Sequence, residues 1–282
     1  MNESIECDVL VIGSGAGGLA TAITARKAGL DVIVAEKEPV FGGTTAFSGG
    51  VLWIPGSPHG RRQNAADNRE AAREYLRHEC GAFFDAAAVD AFLDHAPAMV
   101  EWFERETSVK FVPTLYPDYH PTAPGGVDIG RSILAAPFDI RELGADMARL
   151  RPPLATITFI GMMFNSSNAD LKHFFNATKS LASAWYVCKR LVTHLKELAL
   201  YRRGIQVTSG NALAARLAKS ALDLGVPLWT GSPARRLVTE RGAVRGAELQ
   251  RDGKTVIVRA RHAVVLACGG FPHDRARIGR AY

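Results

Sequence analysis

Along the first thirty-five residues the apolar positions change period twice. Cys7 to Ile12 (CDVLVI) is a short continuous apolar run ending in glycines, the pattern of a buried parallel strand. From Gly17 to Ala28 small and apolar residues recur at helical spacing until Gly29 stops them, and Asp31 to Ala35 (DVIVA) is a second β-branched run. Strand, helix and strand in such close succession predict a right-handed βαβ crossover. Farther on, Asp67 to Cys80 and Ala86 to Glu106 read as helices opened by an acidic residue or Asn. Val112 to Gly130, rich in Pro, Gly and Tyr, reads as an ordered loop. About Asn168 to Leu200 reads as one long helical stretch with Phe174, Phe175, Trp185, Tyr186 and several Lys/Arg. A helix over Asn211 to Leu224 leads into a strand around Val226 to Trp229. Between Ala234 and Val258 alternating runs are separated by Arg241-Gly242 and Asp252-Gly253, both hairpin signals, and Ala263 to Ala267 (AVVLA) reads as another buried strand. The expected fold class is α/β, with a central parallel sheet and a small β-meander.

At 282 residues the chain has material for one large domain or two smaller ones. Apolar residues at 47% against 22% charged exclude a disordered chain. The net charge of +6 suits anionic ligands such as phosphates, but the basic residues are scattered, and no nucleic-acid partner is expected. Cys7, Cys80, Cys188 and Cys268 lie far apart, without a C-x-x-C pair or zinc-like His spacing. They predict no metal site, and free, mostly buried thiols in a reducing compartment. The N-terminus carries no signal-peptide pattern, and the longest apolar stretch, Leu154 to Phe164, is too short to span a bilayer. A soluble, cytoplasmic protein with no integral membrane segment is expected.

Gly13, Gly15 and Gly18 form a G-x-G-x-x-G directly after the first strand and at the start of the first helix. The first glycine permits a tight turn, the second lets a pyrophosphate approach the backbone, and the third allows close helix–strand packing. The helix N-terminus adds unpaired N–H groups and a positive dipole end. Glu36 stands at the end of the second strand, eighteen residues beyond Gly18, where a carboxylate can accept from ribose hydroxyls. This Rossmann-like fingerprint serves NAD and FAD alike. The stretch that follows favours FAD. Lys37, then Gly42-Gly43-Thr44-Thr45 and Ser48-Gly49-Gly50, offers hydroxyls and backbone amides that a ribityl chain and a flavin edge need. Ala267-Cys268-Gly269-Gly270, after the last strand, lets a remote strand end approach the first glycine turn. Taken singly, the second stretch reads as a plain loop and the third as a simple strand exit.

Together and in this order the elements resemble a known family. D-V-L-V-I-G-S-G-A-G-G, E-K, F-G-G-T-T-A-F-S-G-G and V-V-L-A-C-G-G-F look like the FAD-binding half of the fumarate reductase and 3-ketosteroid dehydrogenase flavoproteins. Gly42 to Pro55 and Pro117 to Pro121 (PDYHP) resemble the 3-ketosteroid Δ1-dehydrogenase branch more than the fumarate reductases. The resemblance covers about residues 5–135 and 205–275. It implies an FAD-binding domain over 1–275, with core segments 1–135 and 205–275 and a helical insertion at about 150–203. It implies FAD bound without a covalent bond, because covalent relatives use a His in the Gly/Thr/Ser stretch and residues 41–50 contain none. Its implied cofactor residues are Gly13, Gly15, Ala16, Gly17, Gly18, Glu36, Lys37, Gly42, Gly43, Thr44, Thr45, Ser48, Gly49, Gly50, Ala234, Ala267, Cys268 and Gly269.

The implied reaction oxidises a CH–CH pair of a small, steroid-like enone, with hydride passing to the flavin and a proton to a base. An unidentified electron acceptor then takes the electrons. By resemblance the catalytic residue within this chain is Tyr119, supporting a proton-abstracting tyrosine; a plain alternative is a tyrosine packing its ring over the Pro117-Asp118 turn. Family members continue after G-G-F into a capping substrate domain, so residues 276–282 are expected to begin that cap, and the remaining half to be needed for turnover. Three rivals stay open: a fumarate or urocanate reductase, a non-catalytic FAD-binding module, and an NAD-dependent dehydrogenase. For the basic, aromatic stretch 168–203, an amphipathic helix packed on the sheet with a solvated charged face is favoured over a membrane-surface or sterol-binding role.

Overall fold

The computed structural model describes residues 3–164, 169–271 and 274–281; Asn168, the expected start of the long helix, and Tyr282, the end of the expected cap segment, lie outside them. In chain order the strands are β1 (Glu3–Ile12), β2 (Val32–Ala35), β3 (Val51–Trp53), β4 (Phe111–Pro113), β5 (Ser132–Ala135), β6 (Phe138–Asp139), β7 (Gln206–Val207), β8 (Leu228–Trp229), β9 (Ala234–Glu240), β10 (Ala243–Arg251) and β11 (Lys254–Leu266). The helices are α1 (Ala16–Lys27), α2 (Pro58–Gln63), α3 (Arg69–Cys80), α4 (Ala86–Glu106), α5 (Ala169–Phe175), α6 (Leu181–Tyr201), α7 (Ser209–Asp223) and α8 (Arg275–Ala281). Two compact units emerge: Met1–Ala46 with Ala145–Arg151 and Leu217–Tyr282, and Phe47–Gly144 with Pro152–Arg216.

The first unit is built on a six-stranded sheet in the order β8-β2-β1-β11-β10-β9. Its β8, β2, β1 and β11 run parallel, and β10 and β9 return antiparallel as the expected meander. Cys7, Leu10, Ile12, Ile33 and Ala35 share one buried cluster with Ala247, Leu249, Val256 and Val258. Val9 and Val11, which follow an irregularity in the β1–β11 register after Cys7 and alternate with Leu10 and Ile12, and Val32 and Val34, which alternate with Ile33 and Ala35, are buried on the opposite face, as are Leu19, Ala22 and Ile23 of α1. Burial on both faces is why these strands read as unbroken apolar runs. The meander turns at Arg241-Gly242 (φ 50° and 79°) and Asp252-Gly253 (φ 50° and 75°). Positive φ at both central positions matches the right-handed twist of the flanking strands, so both hairpin signals were correctly placed.

Three expectations need correction. The run Ala263 to Ala267 is not buried: it ends β11 as a half-exposed ribbon, with Leu266 at 61% exposure. Pairing with β10 stops at Arg259, so from Ala263 onward β11 is bonded to β1 on one side. The long helical stretch is two helices, α5 and α6, because Ser180 takes an extended backbone (φ −146°, ψ 126°) and its side chain caps Ser183 N. Nor are the thiols mostly buried. All four are free, but only Cys7 is buried, whereas Cys188 and Cys268 are exposed. Burial first, then the neighbouring Asp31 carboxylate, pushes the Cys7 thiol up to about 11.

The second unit holds a three-stranded antiparallel sheet, β3-β5-β4, and the pair β6-β7. Asn68 caps α3 by accepting from Ala71 N at 2.9 Å, and Asp85 caps α4 by accepting from Ala88 N at 3.1 Å. These are the two residue types expected to open the helices.

Candidate functional site

Chain segments far apart in sequence converge on the turn between β1 and α1. Gly13 has φ +113°, and a Cβ there would lie 2.2 Å from the Ala267 carbonyl oxygen. Ala267 N donates to Ile12 O at 2.8 Å, and the Cys268 thiol lies 3.6 Å from the same oxygen. Gly269, one residue on, also turns through positive φ (+74°). A Cβ on Gly18 would sit 2.0 Å from the Gly13 carbonyl oxygen. The first and third glycines therefore admit backbone packing. Gly15 and Gly17 differ. A Cβ on Gly15 would meet only the Thr45 hydroxyl at 3.6 Å, and one on Gly17 meets nothing within 4 Å.

Gly42 and Gly43 fold back over this turn. Gly42 N donates to both the carbonyl and the hydroxyl of Ser14 at 3.2 Å, and Gly43 (φ +53°) passes 3.1 Å from the Gly15 Cα, measured from its ideal Cβ position. The Thr45 hydroxyl accepts from Ala16 N at 3.0 Å, whereas Gly15, the N-cap of α1, offers no side-chain bond, and the first turn carries no acid. The remaining first-turn N–H groups thus face an open side of the turn, where an anion is favoured. Thr44 is exposed, and Lys37 is largely exposed with its ammonium 3.8 Å from Glu38. Ala234 opens β9, two residues after Ser232, whose N–H donates to Glu36 O at 2.7 Å.

Glu36 is only 6% exposed, and its carboxylate is already employed. It accepts from Ser14 N at 3.0 Å, from Ser14 Oγ at 2.5 Å and from Glu38 N at 3.0 Å. Ser14, fully buried, ties Glu36 to the glycine turn and the turn to Gly42. Sequence reasoning missed Ser14. Its one visible signal was a hydroxyl between two glycines with a carboxylate at the neighbouring strand end. A carboxylate has about four acceptor positions, so these three bonds leave room for a ribose hydroxyl.

Ser48, Gly49, Gly50 and Tyr119 belong to the second unit. Ser48 O accepts from Gly210 N at 3.1 Å and Ser48 Oγ from Gly50 N at 3.1 Å. Gly50 (φ +68°) passes so close that a Cβ would lie 2.3 Å from Gly210 N, whereas Gly49 faces open space. The turn bearing Tyr119 is fastened from within. Asp118 Oδ2 accepts from Arg131 at 2.8 Å and from Val127 N at 3.2 Å, while Asp118 Oδ1 accepts from Trp53 Nε1 at 2.7 Å. Arg131 also forks onto Asp67 at 2.9 and 2.6 Å and lies over the rings of Trp53 and Tyr75. His120 N donates to the Tyr75 hydroxyl at 3.3 Å, and the His120 ring meets Glu79 at 2.8 Å. Between these anchors Tyr119 is 97% exposed, so its ring does not pack over the turn.

An open glycine turn at a helix start, with a carboxylate at the next strand end, defines a dinucleotide-binding α/β protein. The chain matches the family described as FAD binding domain over residues 8–281 and belongs to it. The 4-oxocyclohex-2-ene-1-carboxylate 5-dehydrogenase of Sinomonas cyclohexanicum is 41% identical over 98% of this chain and 48% of its own length. The 3-oxosteroid 1-dehydrogenase of Mycobacterium tuberculosis is 35% identical over 95% of this chain and 48% of its own. Among solved structures, 3-ketosteroid delta1-dehydrogenase from Sterolibacterium denitrificans, in complex with 1,4-androstadiene-3,17-dione, superposes with a TM-score of 0.82 at 31% identity. That match covers 98% of this chain and 50% of the other. The chain therefore spans about half the length of the relatives it matches. FAD is the cofactor of this family, and the open amides, the uncapped helix start and the partly free carboxylate fit its diphosphate and ribose. No helix among the described residues is long and apolar enough to cross a membrane.

Proposed function

We propose that the chain supplies the FAD-holding half of a dehydrogenase that oxidises the CH–CH bond beside a ring ketone, with 3-ketosteroids as the substrate class. Amides of Gly15 and Gly17 hold the diphosphate, with Ala16 between them tied to the Thr45 hydroxyl, and Glu36 with Lys37 flanks the adenosine ribose. Gly42, Gly43, Thr44, Thr45, Ser48, Gly49 and Gly50 serve the ribityl chain and flavin edge, with Ala234, Ala267, Cys268 and Gly269 closing the site. FAD, held without a covalent bond, supplies the hydride acceptor. Tyr119 places its hydroxyl beside the substrate and supports the group that removes the neighbouring proton. The two curated relatives support the substrate class, since both are named for dehydrogenation of an oxo-bearing ring compound. A cytoplasmic setting agrees with four free cysteines.

The observation that carries the catalytic half of this reading is the exposure of Tyr119 at 97% on a turn pinned by the buried Asp118. A tyrosine with only a packing role would lie on its own turn. The test is oxidation of a 3-ketosteroid and of a 4-oxocyclohexene carboxylate by FAD-loaded protein with an artificial electron acceptor. The chain alone is expected to hold FAD without oxidising either ketone, and desaturation, with kcat lower by ~10²-fold in Tyr119→Phe, is expected once a capping half is supplied by fusion. Retained FAD with neither ketone oxidised even with the capping half supplied would make this a flavin-binding module without catalysis, and release of a nicotinamide nucleotide on denaturation would overturn both.

Glu36→Ala is expected to weaken FAD retention by about 1–3 kcal/mol, the worth of a hydrogen bond to a charged group. Ser14→Ala removes the brace and keeps the carboxylate, so its loss of affinity is expected to be smaller. Fluorescence titration with FAD measures both. Equal affinity in wild type and Glu36→Ala removes Glu36 from the ribose site.

A further inference from the structure

The ribose end of the site has a wall that the glycine fingerprint does not announce. The chain returns at 149–151 to lie beside Phe41. Phe41 N donates to Arg149 O at 2.8 Å, and Arg151 N donates to Phe41 O at 2.9 Å. Phe41 and Leu150, paired there as a parallel bridge, are both fully buried. Ala145–Arg151 accordingly belongs to the first unit, although the family resemblance sets residue 151 within the helical insertion.

This return brings a cation to the two carboxylates at the end of β2. Glu38 N donates to Glu36 Oε1 at 3.0 Å, so the Glu38 backbone is fastened directly to the ribose carboxylate. Arg151 Nη2 lies 3.9 Å from Glu38 Oε2, and Lys37 Nζ lies 3.8 Å from Glu38 Oε1. At such distances the charges attract, but neither contact is a hydrogen bond. Arg131 in the second unit differs, forking onto Asp67 at 2.9 and 2.6 Å. The Arg151 side chain is 19% exposed against 64% for Lys37, so its field is the less screened of the two.

The chemistry of the site gives such a cation a use. Glu36 and Glu38 put two negative charges beside a turn that takes a diphosphate, and unopposed they would repel it. Arg151 stands between the two features. Its backbone is bonded to Phe41, and the next residue, Gly42, is bonded to Ser14 in the glycine turn. Its guanidinium meanwhile reaches the carboxylate pair. A planar guanidinium there can donate to a phosphate oxygen or a ribose hydroxyl, or lie along the adenine face.

We propose, resting on FAD as the cofactor of this chain, that Arg151 is a further binding residue whose guanidinium contacts the adenylate half beside Glu36. The cation offsets the two carboxylates and completes a site that the glycine turn and Glu36 open on one side only. The flavin half of the cofactor does not depend on it.

The test is titration of the full chain with FAD and, separately, with ADP, in wild type, Arg151→Gln and Arg151→Lys. Arg151→Gln is expected to raise both dissociation constants about tenfold or more and by the same factor, since ADP carries the whole contacted part. Arg151→Lys is expected to lose about threefold, because an ammonium keeps the charge but not the planar fork. Added salt is expected to weaken ADP binding less in Arg151→Gln than in wild type. Combining Arg151→Gln with Glu38→Gln separates direct contact from mere neutralisation of Glu38, and the loss is expected to persist in the double variant. Circular dichroism of the nucleotide-free variants checks the fold. ADP affinity equal to wild type in Arg151→Gln, or in Arg151→Lys where the glutamine variant does not fold, overturns the proposal. So does wild-type affinity in the double variant, or a loss of FAD affinity without a loss of ADP affinity. Wild-type chain that binds neither nucleotide would remove the FAD reading itself, and Arg151 with it.

Discussion

Replacing Arg131 with methionine is expected to destabilise the second unit by about 3–5 kcal/mol, the cost of breaking a buried ion pair from one side. The Arg131 side chain is 1% exposed, and its partners Asp67 and Asp118 are 5% and 1% exposed. Methionine fills much of the stem volume, yet leaves two carboxylates buried without their cation. Lysine is not expected to rescue, because one ammonium cannot reproduce the fork to Asp67 and the bond to Asp118 together. Urea unfolding followed by tryptophan fluorescence measures the change, as a lower midpoint at unchanged slope. Arg131→Met combined with Asp118→Asn is expected to regain part of the loss, since one of the orphaned charges is gone. A midpoint matching wild type in Arg131→Met would show that the network contributes nothing net. Because Asp118 precedes Tyr119, the same variant is also expected to loosen the turn that presents the tyrosine.

The parts of the fold legible in the sequence are those whose cause is local. Cys7 to Ile12 and Asp31 to Ala35 are apolar because both faces are covered, and Arg241-Gly242 and Asp252-Gly253 are turn signals because two positive φ angles are needed in a row. The dinucleotide-binding class of the chain was legible for the same reason, since the glycine spacing and Glu36 sit within one βαβ unit, whereas FAD rather than NAD rested on Gly42 to Gly50 and on the family resemblance. What was not legible depends on distant partners. Arg131 is bonded to residues 64 and 13 positions away, and no periodicity announces such a pair. Ser14 has no apolar neighbours to mark it as buried. The Ala263 to Ala267 run was misjudged because an apolar strand records that it can be covered, not that it is. The break at 176–180 could have been found, as Ser180 directly precedes an apolar helical run.

The second large effect is expected at Gly18, where helix propensity and packing disagree in sign. Alanine in a helix interior is favoured over glycine by about 1 kcal/mol, so propensity alone predicts that Gly18→Ala stabilises the protein. Packing predicts the reverse, because the new Cβ would lie 2.0 Å from the Gly13 carbonyl oxygen and 3.3 Å from the Ala267 Cβ. Backbone cannot move aside as a flexible side chain can, so Gly18→Ala is expected to cost about 3 kcal/mol or more and to push α1 off the sheet. Gly15→Ala separates this packing role from the cofactor role. Gly15 has φ −71° and open space around its Cβ position, so alanine there is expected to change stability by less than about 1 kcal/mol. The same methyl would occupy the side of the turn that a diphosphate approaches, and FAD affinity is expected to fall ~100-fold or more. Thermal unfolding of the FAD-free protein and titration with FAD distinguish the two variants: Gly18→Ala loses both fold and flavin, Gly15→Ala the flavin alone. If Gly15→Ala bound FAD as tightly as wild type, the diphosphate would have to lie elsewhere than over the open face of this turn.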